Sequence, residues 1–195
     1  LDENELKPLQ ISGCSDTVTQ ITIPKGVRTI GAAAFLNFKH LKKINLSDTI
    51  SDIREMAFKG CEMLSPMDIP VNATLGNRLF FGCNNIHKIT LSTANIADEL
   101  FDGQKINELH IVKSKYDNIG NVSFAINNYT FGGGSWNVID KVIVEPGVKS
   151  IEVSLIGINK LIVKGKNTKI ISYDMTKDNI NETSLYTVKG AKAVK

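Results

Sequence analysis

Cysteine is scarce in this chain, three residues in 195, and an odd number at that density cannot build the disulfide framework on which small secreted domains rely. Long apolar runs are missing too. The stretches around Leu79–Phe81 and Lys141–Val144 are soon cut by polar residues, far short of the roughly 20 apolar residues that span a bilayer, so no direct membrane insertion is expected. Charge of one sign is lacking: 23 basic residues face 20 acidic ones, a net of +3, too small a surplus to steer the chain to nucleic acid. Histidines number three, His40, His87 and His110, scattered and without a His-Glu-x-x-His spacing, which leaves a zinc centre without its ligands. No Gly-x-Ser-x-Gly elbow occurs, and Gly132-Gly133-Gly134-Ser135-Trp136 lacks the Lys-Ser/Thr that completes a phosphate loop. No nucleophile, base and oxyanion donors can be assembled, so neither catalysis nor a cofactor is expected. The chain begins at Leu1 without a cationic start and apolar run, and reads as a trimmed piece of a longer one.

What is present is a chain with 42% apolar and 22% charged residues, which should fold and dissolve as one domain or one array of repeats. The array is visible. Ile21-Thr22-Ile23-Pro24, Ile44-Asn45-Leu46-Ser47, Met67-Asp68-Ile69-Pro70 and Ile89-Thr90-Leu91-Ser92 return every 22 or 23 residues, followed by Leu109-His110-Ile111. Each reads as a short strand with alternating faces. A second phrase runs between them: Val27-Arg28-Thr29-Ile30-Gly31 then Ala34-Phe35; Ile53 then Ala57-Phe58-Lys59-Gly60-Cys61; Leu75-Gly76 then Leu79-Phe80-Phe81-Gly82-Cys83. Pivotal phenylalanines fall at 35, 58, 80, 101 and 124, and Phe38, Cys61, Cys83 and Gln104 follow the first four by three residues, with Cys14 in the same column. Units of this size cannot bury their apolar faces alone but can do so by stacking on copies, which is the physics of a solenoid. Gly31, Gly76 and Gly120 occupy a turn position that permits positive φ, and the Ala-Phe phrase is expected to form a helical turn. Cys61 and Cys83 read as stacked, reduced core thiols.

The phrase Ile23-Pro24-Lys25-Gly26-Val27-Arg28-Thr29-Ile30-Gly31 with Ala34-Phe35 and Leu41-Lys42-Lys43-Ile44-Asn45-Leu46, together with Phe-x-Gly-Cys at 58–61 and 80–83, resembles the BspA-like leucine-rich repeats over residues 9 to 165. The resemblance implies an α/β, strand-dominated fold: a right-handed leucine-rich-repeat solenoid with a parallel sheet on one face and short helical turns or irregular segments on the other. One domain over 1–195 is expected, with a partial repeat at 9–20, regular repeats at about 21–124, an insertion or degenerate repeat at 125–137, further repeats at about 138–188 and a tail at 189–195. Members of this family are commonly exported or displayed on the cell surface of host-associated microbes, where they mediate adhesion; the family carries no catalytic residues to transfer.

Two outward columns hold the candidate contacts. One reads Gln20, Lys43, Pro66, Lys88, Glu108, Lys141 and Lys160, a mildly basic stripe that suits an acidic protein or a glycan, or is simply a solvated face. The other reads Thr22, Asn45, Asp68, Thr90, His110, Ile143 and Ile162, ending in two isoleucines where water is expected. Near Trp136 they would form an apolar and aromatic patch suited to a partner; alternatively the 125–137 insertion folds over them. Lys43, Lys88, Lys141, Ile143, Ile162 and Trp136 are therefore the candidate contacts of a non-catalytic recognition module whose partner is a protein, or else a glycan. The alternative is a spacer array that presents another domain and has no ligand of its own.

Overall fold

The computed structural model describes residues 5–6, 14–92, 100–101, 105–113, 123–126, 139–153, 159–172 and 186–188. In chain order the strands are β1 (Glu5–Leu6), β2 (Gln20–Thr22), β3 (Thr29–Ile30), β4 (Lys43–Asn45), β5 (Asp52–Ile53), β6 (Thr74–Leu75), β7 (Lys88–Ser92), β8 (Ile106–Val112), β9 (Ser123–Ile126), β10 (Ile139–Val144), β11 (Ser150–Val153), β12 (Leu161–Val163), β13 (Lys169–Ser172) and β14 (Tyr186–Val188). Every pairing is parallel and joins equivalent phrases of different repeats, as when Ile21 lies opposite Ile44 and Val142 opposite Leu161. Parallel partners need long crossovers, and here each crossover is the rest of one coil.

The first strand of each coil forms a face that is split in two. β2 pairs with β4, and a five-stranded sheet runs in the order β14-β12-β10-β8-β7. Met67-Asp68-Ile69, which the repeat pattern marks as a strand, is not one. The reason is proline. At the same register Lys43 N donates to Thr19 O (3.2 Å) and Glu108 N to His87 O (3.1 Å); in the coil between them that position is Pro66, which has no N–H to give.

The second extended phrase also forms parallel sheets, β1-β3-β5-β6 and β13-β11-β9. The far side is therefore sheet and not merely turns or irregular chain. Ile151 of β11 lies opposite Phe124 of β9, so Phe124 belongs to the column of this second strand and not to the pivotal phenylalanines. Ala125 and Ile126, the first residues of the expected insertion or degenerate repeat at 125–137, lie in β9, and 127–137 lie outside the described residues.

The Ala-Phe phrase is not a helical turn. The only helical element among the described residues is a 3-10 turn at Cys14–Asp16. Ala33, Met56 and Arg78 have φ between 53° and 55°, and Asn37, Gly60 and Gly82, four residues further on, have φ of 59°, 74° and 77°. A left-handed residue every fourth position forbids an α-helix and turns alternate N–H groups outward. Ala33, Phe35 and Asn37 donate to Glu55, Ala57 and Lys59 of the next coil at 2.8–3.0 Å, whereas Ala34, Leu36 and Phe38 close local turns onto the carbonyl three residues back. The next coil repeats the scheme, with Met56, Phe58 and Gly60 donating to Asn77, Leu79 and Phe81. Hydrogen bonding that a helix would keep to itself here ties coil to coil.

The core fills the space between these three walls. Ile44, Ile89, Leu109, Val142 and Leu161 enter from the first strands, Ile30, Ile53 and Ile151 from the second, and all are buried. Phe35, Phe58, Phe80 and Phe101 form a column of near-parallel rings with centroids 5.6, 5.8 and 5.9 Å apart. Cys61 and Cys83 are buried free thiols. Each donates back to a carbonyl of the preceding coil, Cys61 Sγ to Phe35 O at 3.1 Å and Cys83 Sγ to Phe58 O at 3.0 Å. Burial pushes the Cys61 thiol up to about 12, so it stays protonated and acts as a small apolar side chain with one donor. Gly31 and Gly76 do not have positive φ; Gly76 is needed for room, as argued below.

Candidate functional site

Outward side chains of the five-stranded sheet stand in columns because successive strands pair in register and alternate residues share a face. Glu108 on β8 lies opposite Lys88 on β7 and Lys141 on β10. Both lysines reach it: Lys88 Nζ is 2.7 Å from Oε1 and Lys141 Nζ 2.6 Å from Oε2. Two residues along β8, His110 turns Nε2 to Glu108 Oε1 (2.5 Å) and Nδ1 to Glu145 Oε1 (3.2 Å). Glu145, just past β10, also receives Lys164 Nζ at 2.8 and 3.0 Å on its two oxygens. A continuous chain of polar contacts, Lys141 and Lys88 to Glu108 to His110 to Glu145 to Lys164, thus crosses the coils.

The cations hold both carboxylates ionised. Hydrogen bonds from Lys141, then Lys88 and His110, keep Glu108 far below the ordinary carboxylate range, and Lys164 leads the lowering of Glu145, against a desolvation that pushes it up. A depressed carboxylate pKa adds stability above its unfolded value, and that stability is lost as pH falls through the folded value. Stability should therefore decline on acidification from about pH 5 to pH 2, and Glu108→Gln should flatten that decline. Urea midpoints across this range check it; parallel slopes for the two proteins would remove Glu108 from the account.

The structure brings some candidate contacts together and separates others. Lys88 and Lys141 meet around Glu108, so the charge of the stripe is partly offset there by one carboxylate shared between two lysines. Lys43 lies on the other side of the Pro66 break, opposite Gln20 in the β2–β4 pair. Ile143 sits between His110 and Ile162 and is only 8% exposed, unlike the solvent-facing residue its column suggests; Ile162 is half-buried. Trp136 lies outside the described residues. Glu145 and Lys164 went unmarked in the sequence, although aligning the turns after Val144 and Val163 would have set them side by side. Among the described residues no group of three or more His, Cys, Asp or Glu is arranged to hold a metal, and no helix is long and apolar enough to cross a membrane.

Stacked coils with two strand faces, a shared aromatic column and ordered outward columns define a strand-dominated parallel solenoid of the leucine-rich-repeat kind. The model of the BspA type leucine rich repeat region matches residues 12–131 in six copies, and the chain belongs to that family. A solved leucine-rich repeat protein from Bacteroides ovatus is similar, at a TM-score of 0.45 and 18% identity over 88% of this chain and 67% of that one. No curated protein matches the chain.

Proposed function

We propose that residues 1–195 form one continuous array that acts as a non-catalytic recognition module, secreted or displayed at a cell surface, and that it binds a protein through the outward face of β7, β8, β10 and β12 in an adhesive role. The observation that carries this reading is the cross-strand charge chain. Lys88, Glu108, Lys141, Glu145 and Lys164 are held in place by one another around Ile143 and Ile162, so a partner meets an ordered surface and little side-chain entropy is lost on docking. A polar rim about a small apolar centre is also the anatomy of protein interfaces. Lys43 and Trp136 are peripheral contacts in this proposal. Family membership supports a binding role, since repeat arrays present extended surfaces suited to partners.

The test is binding of the purified chain to a panel of extracellular-matrix and cell-surface proteins at two salt concentrations. A saturable protein partner is expected, with affinity reduced at least about tenfold by Ile162→Lys, since a charge placed at the centre of a contact is left unpaired. A partner whose affinity ignores Ile162→Lys would move the site off this face. Silence across the panel would favour an array that only spaces other domains.

A further inference from the structure

We propose a second binding site, on the turn edge of the C-terminal coils, that takes a sulfated polysaccharide. It borders the outward strand face and shares Lys164 with it, but it rests on Lys149 and Lys166, which the protein-binding reading does not use, and so stands or falls separately.

The turns after β10 and β12 are stacked copies, since Val144 pairs with Val163 and Ser150 with Lys169. Between them lies a cleft of about 550 Å³ whose lining, among the described residues, includes Lys149, Lys164 and Lys166 and no carboxylate. A fourth lysine joins from the coil before: the Lys113 side chain passes over Gly147 so closely that a Cβ there would stand 3.2 Å from its Cδ. Beside the cleft, Glu145 is already shared by Lys164 and His110. The cleft is also preorganised. Thr168, 2% exposed, donates its hydroxyl to Val148 O at 2.8 Å and pins one turn to the other, and Gly165 leaves the room for that hydroxyl which any Cβ would take.

The first coils differ at the same place. There Thr49 bridges the turns, accepting from Gly26 N at 3.3 Å and donating to Val27 O at 2.8 Å; the first turn carries Lys25 and Arg28, but the second carries Asp48 and no lysine. Lys164 and Lys166 on the second turn therefore have no counterpart in the early coils, where Ser47 and Thr49 stand.

The occupant follows from the arrangement. Exposed lysines on three successive coils do not converge on one small anion; they present charge at steps of about 5 Å along the solenoid axis, which suits a linear chain bearing many anionic groups. Among the described residues no aromatic side chain lines the cleft, so none of them offers a platform for base stacking. Insertion into a lipid surface has no wedge, since the exposed large apolar residues among those described, Leu36, Met63, Val71 and Phe81, all lie in earlier coils. Sulfate esters stay ionised at any physiological pH, and ammonium groups meet them as point charges.

The probe is a heparin-derived oligosaccharide, titrated into the protein at low and physiological salt. Saturable, salt-sensitive binding is expected, lost on chemical desulfation and weakened at least about tenfold in Lys149→Glu/Lys166→Glu. Lys25→Glu/Lys42→Glu makes the same change in net charge on exposed residues of early coils, and should change affinity by less than about threefold. Equal losses in the two pairs would reduce the effect to net charge and overturn the site. So would absence of binding, or equal affinity for a single-stranded oligonucleotide, polyglutamate or phosphatidylserine vesicles. Circular dichroism confirms the fold of each variant, and Lys149→Gln/Lys166→Gln replaces the charge reversal if that protein does not fold, with the same loss required.

Discussion

Phe58→Ala is expected to lower the unfolding free energy by about 3–5 kcal/mol. Phe58 is fully buried and stacks on Phe35 at 5.6 Å and on Phe80 at 5.8 Å, so truncation removes contacts on both flat sides at once. The surroundings cannot collapse into the space. Its neighbours along the chain are tied outward, with Phe58 N bonded to Leu79 O (3.2 Å) and Gly60 N to Phe81 O (2.8 Å), and this ladder holds the coil spacing whether or not the ring is present. In a solenoid each coil contacts only its neighbours, so the loss falls on two adjacent interfaces. Unfolding of the variant should broaden or split where wild type unfolds as one unit. Phe58→Leu, which refills much of the volume, should cost distinctly less. Urea or guanidinium denaturation of the three proteins is the measurement, and a Phe58→Ala loss under about 1 kcal/mol would mean that the ring column is not a principal source of cohesion.

That column was legible in the sequence as far as Phe101 and misleading after it. The step from Phe101 to Phe124 matches the period, but periodicity counts residues and not coils. The register of β9 against β11 places Phe124 over Ile151, in the second-strand column. The break at Pro66 was readable in principle, since a residue without an N–H cannot occupy the position that Lys43 and Glu108 use to pair. Apolar alternation in Met67-Asp68-Ile69 argued the other way, and backbone donors decided. The left-handed positions were half legible. Gly60 and Gly82 mark one of them in Phe-x-Gly-Cys, but Ala33, Met56 and Arg78 adopt φ near 54° with no glycine to announce it. At Ala33 and Met56 the N–H bonds to the following coil, to Glu55 O and Asn77 O, a constraint imposed by the neighbour and not by local preference. The charge chain was the least visible. Glu108 touches Lys141 across 33 residues and Lys88 across a much shorter coil, so the cluster appears only when coils of unequal length are set in register.

Gly76→Ala should cost about 2 kcal/mol or more, although alanine is ordinarily the better tolerated residue in a folded chain. The backbone at Gly76 is one that alanine can adopt, since its φ is not in the left-handed region. Space is the obstacle. A Cβ would stand 2.7 Å from Glu55 Cα and would press as well on Glu55 N and Arg54 C, all backbone atoms of the preceding coil. Backing away is costly because Gly76 N donates to Ile53 O at 2.7 Å, and that bond continues the β5–β6 pairing. Gly82 makes the opposite test. A Cβ there would find only ordinary contacts with Gly60, at 3.5 and 3.6 Å, but φ is +77°, so Gly82→Ala meets conformational strain of about 1–2 kcal/mol with no collision. Asparagine, which tolerates the left-handed region better than alanine, should recover part of the loss at 82, where Asn37 already occupies the same column. It should recover nothing at 76. Denaturation midpoints of the four single variants separate the two causes, and rescue by asparagine at 76 would show that conformation, and not the approach of the Arg54–Glu55 backbone, fixes glycine there.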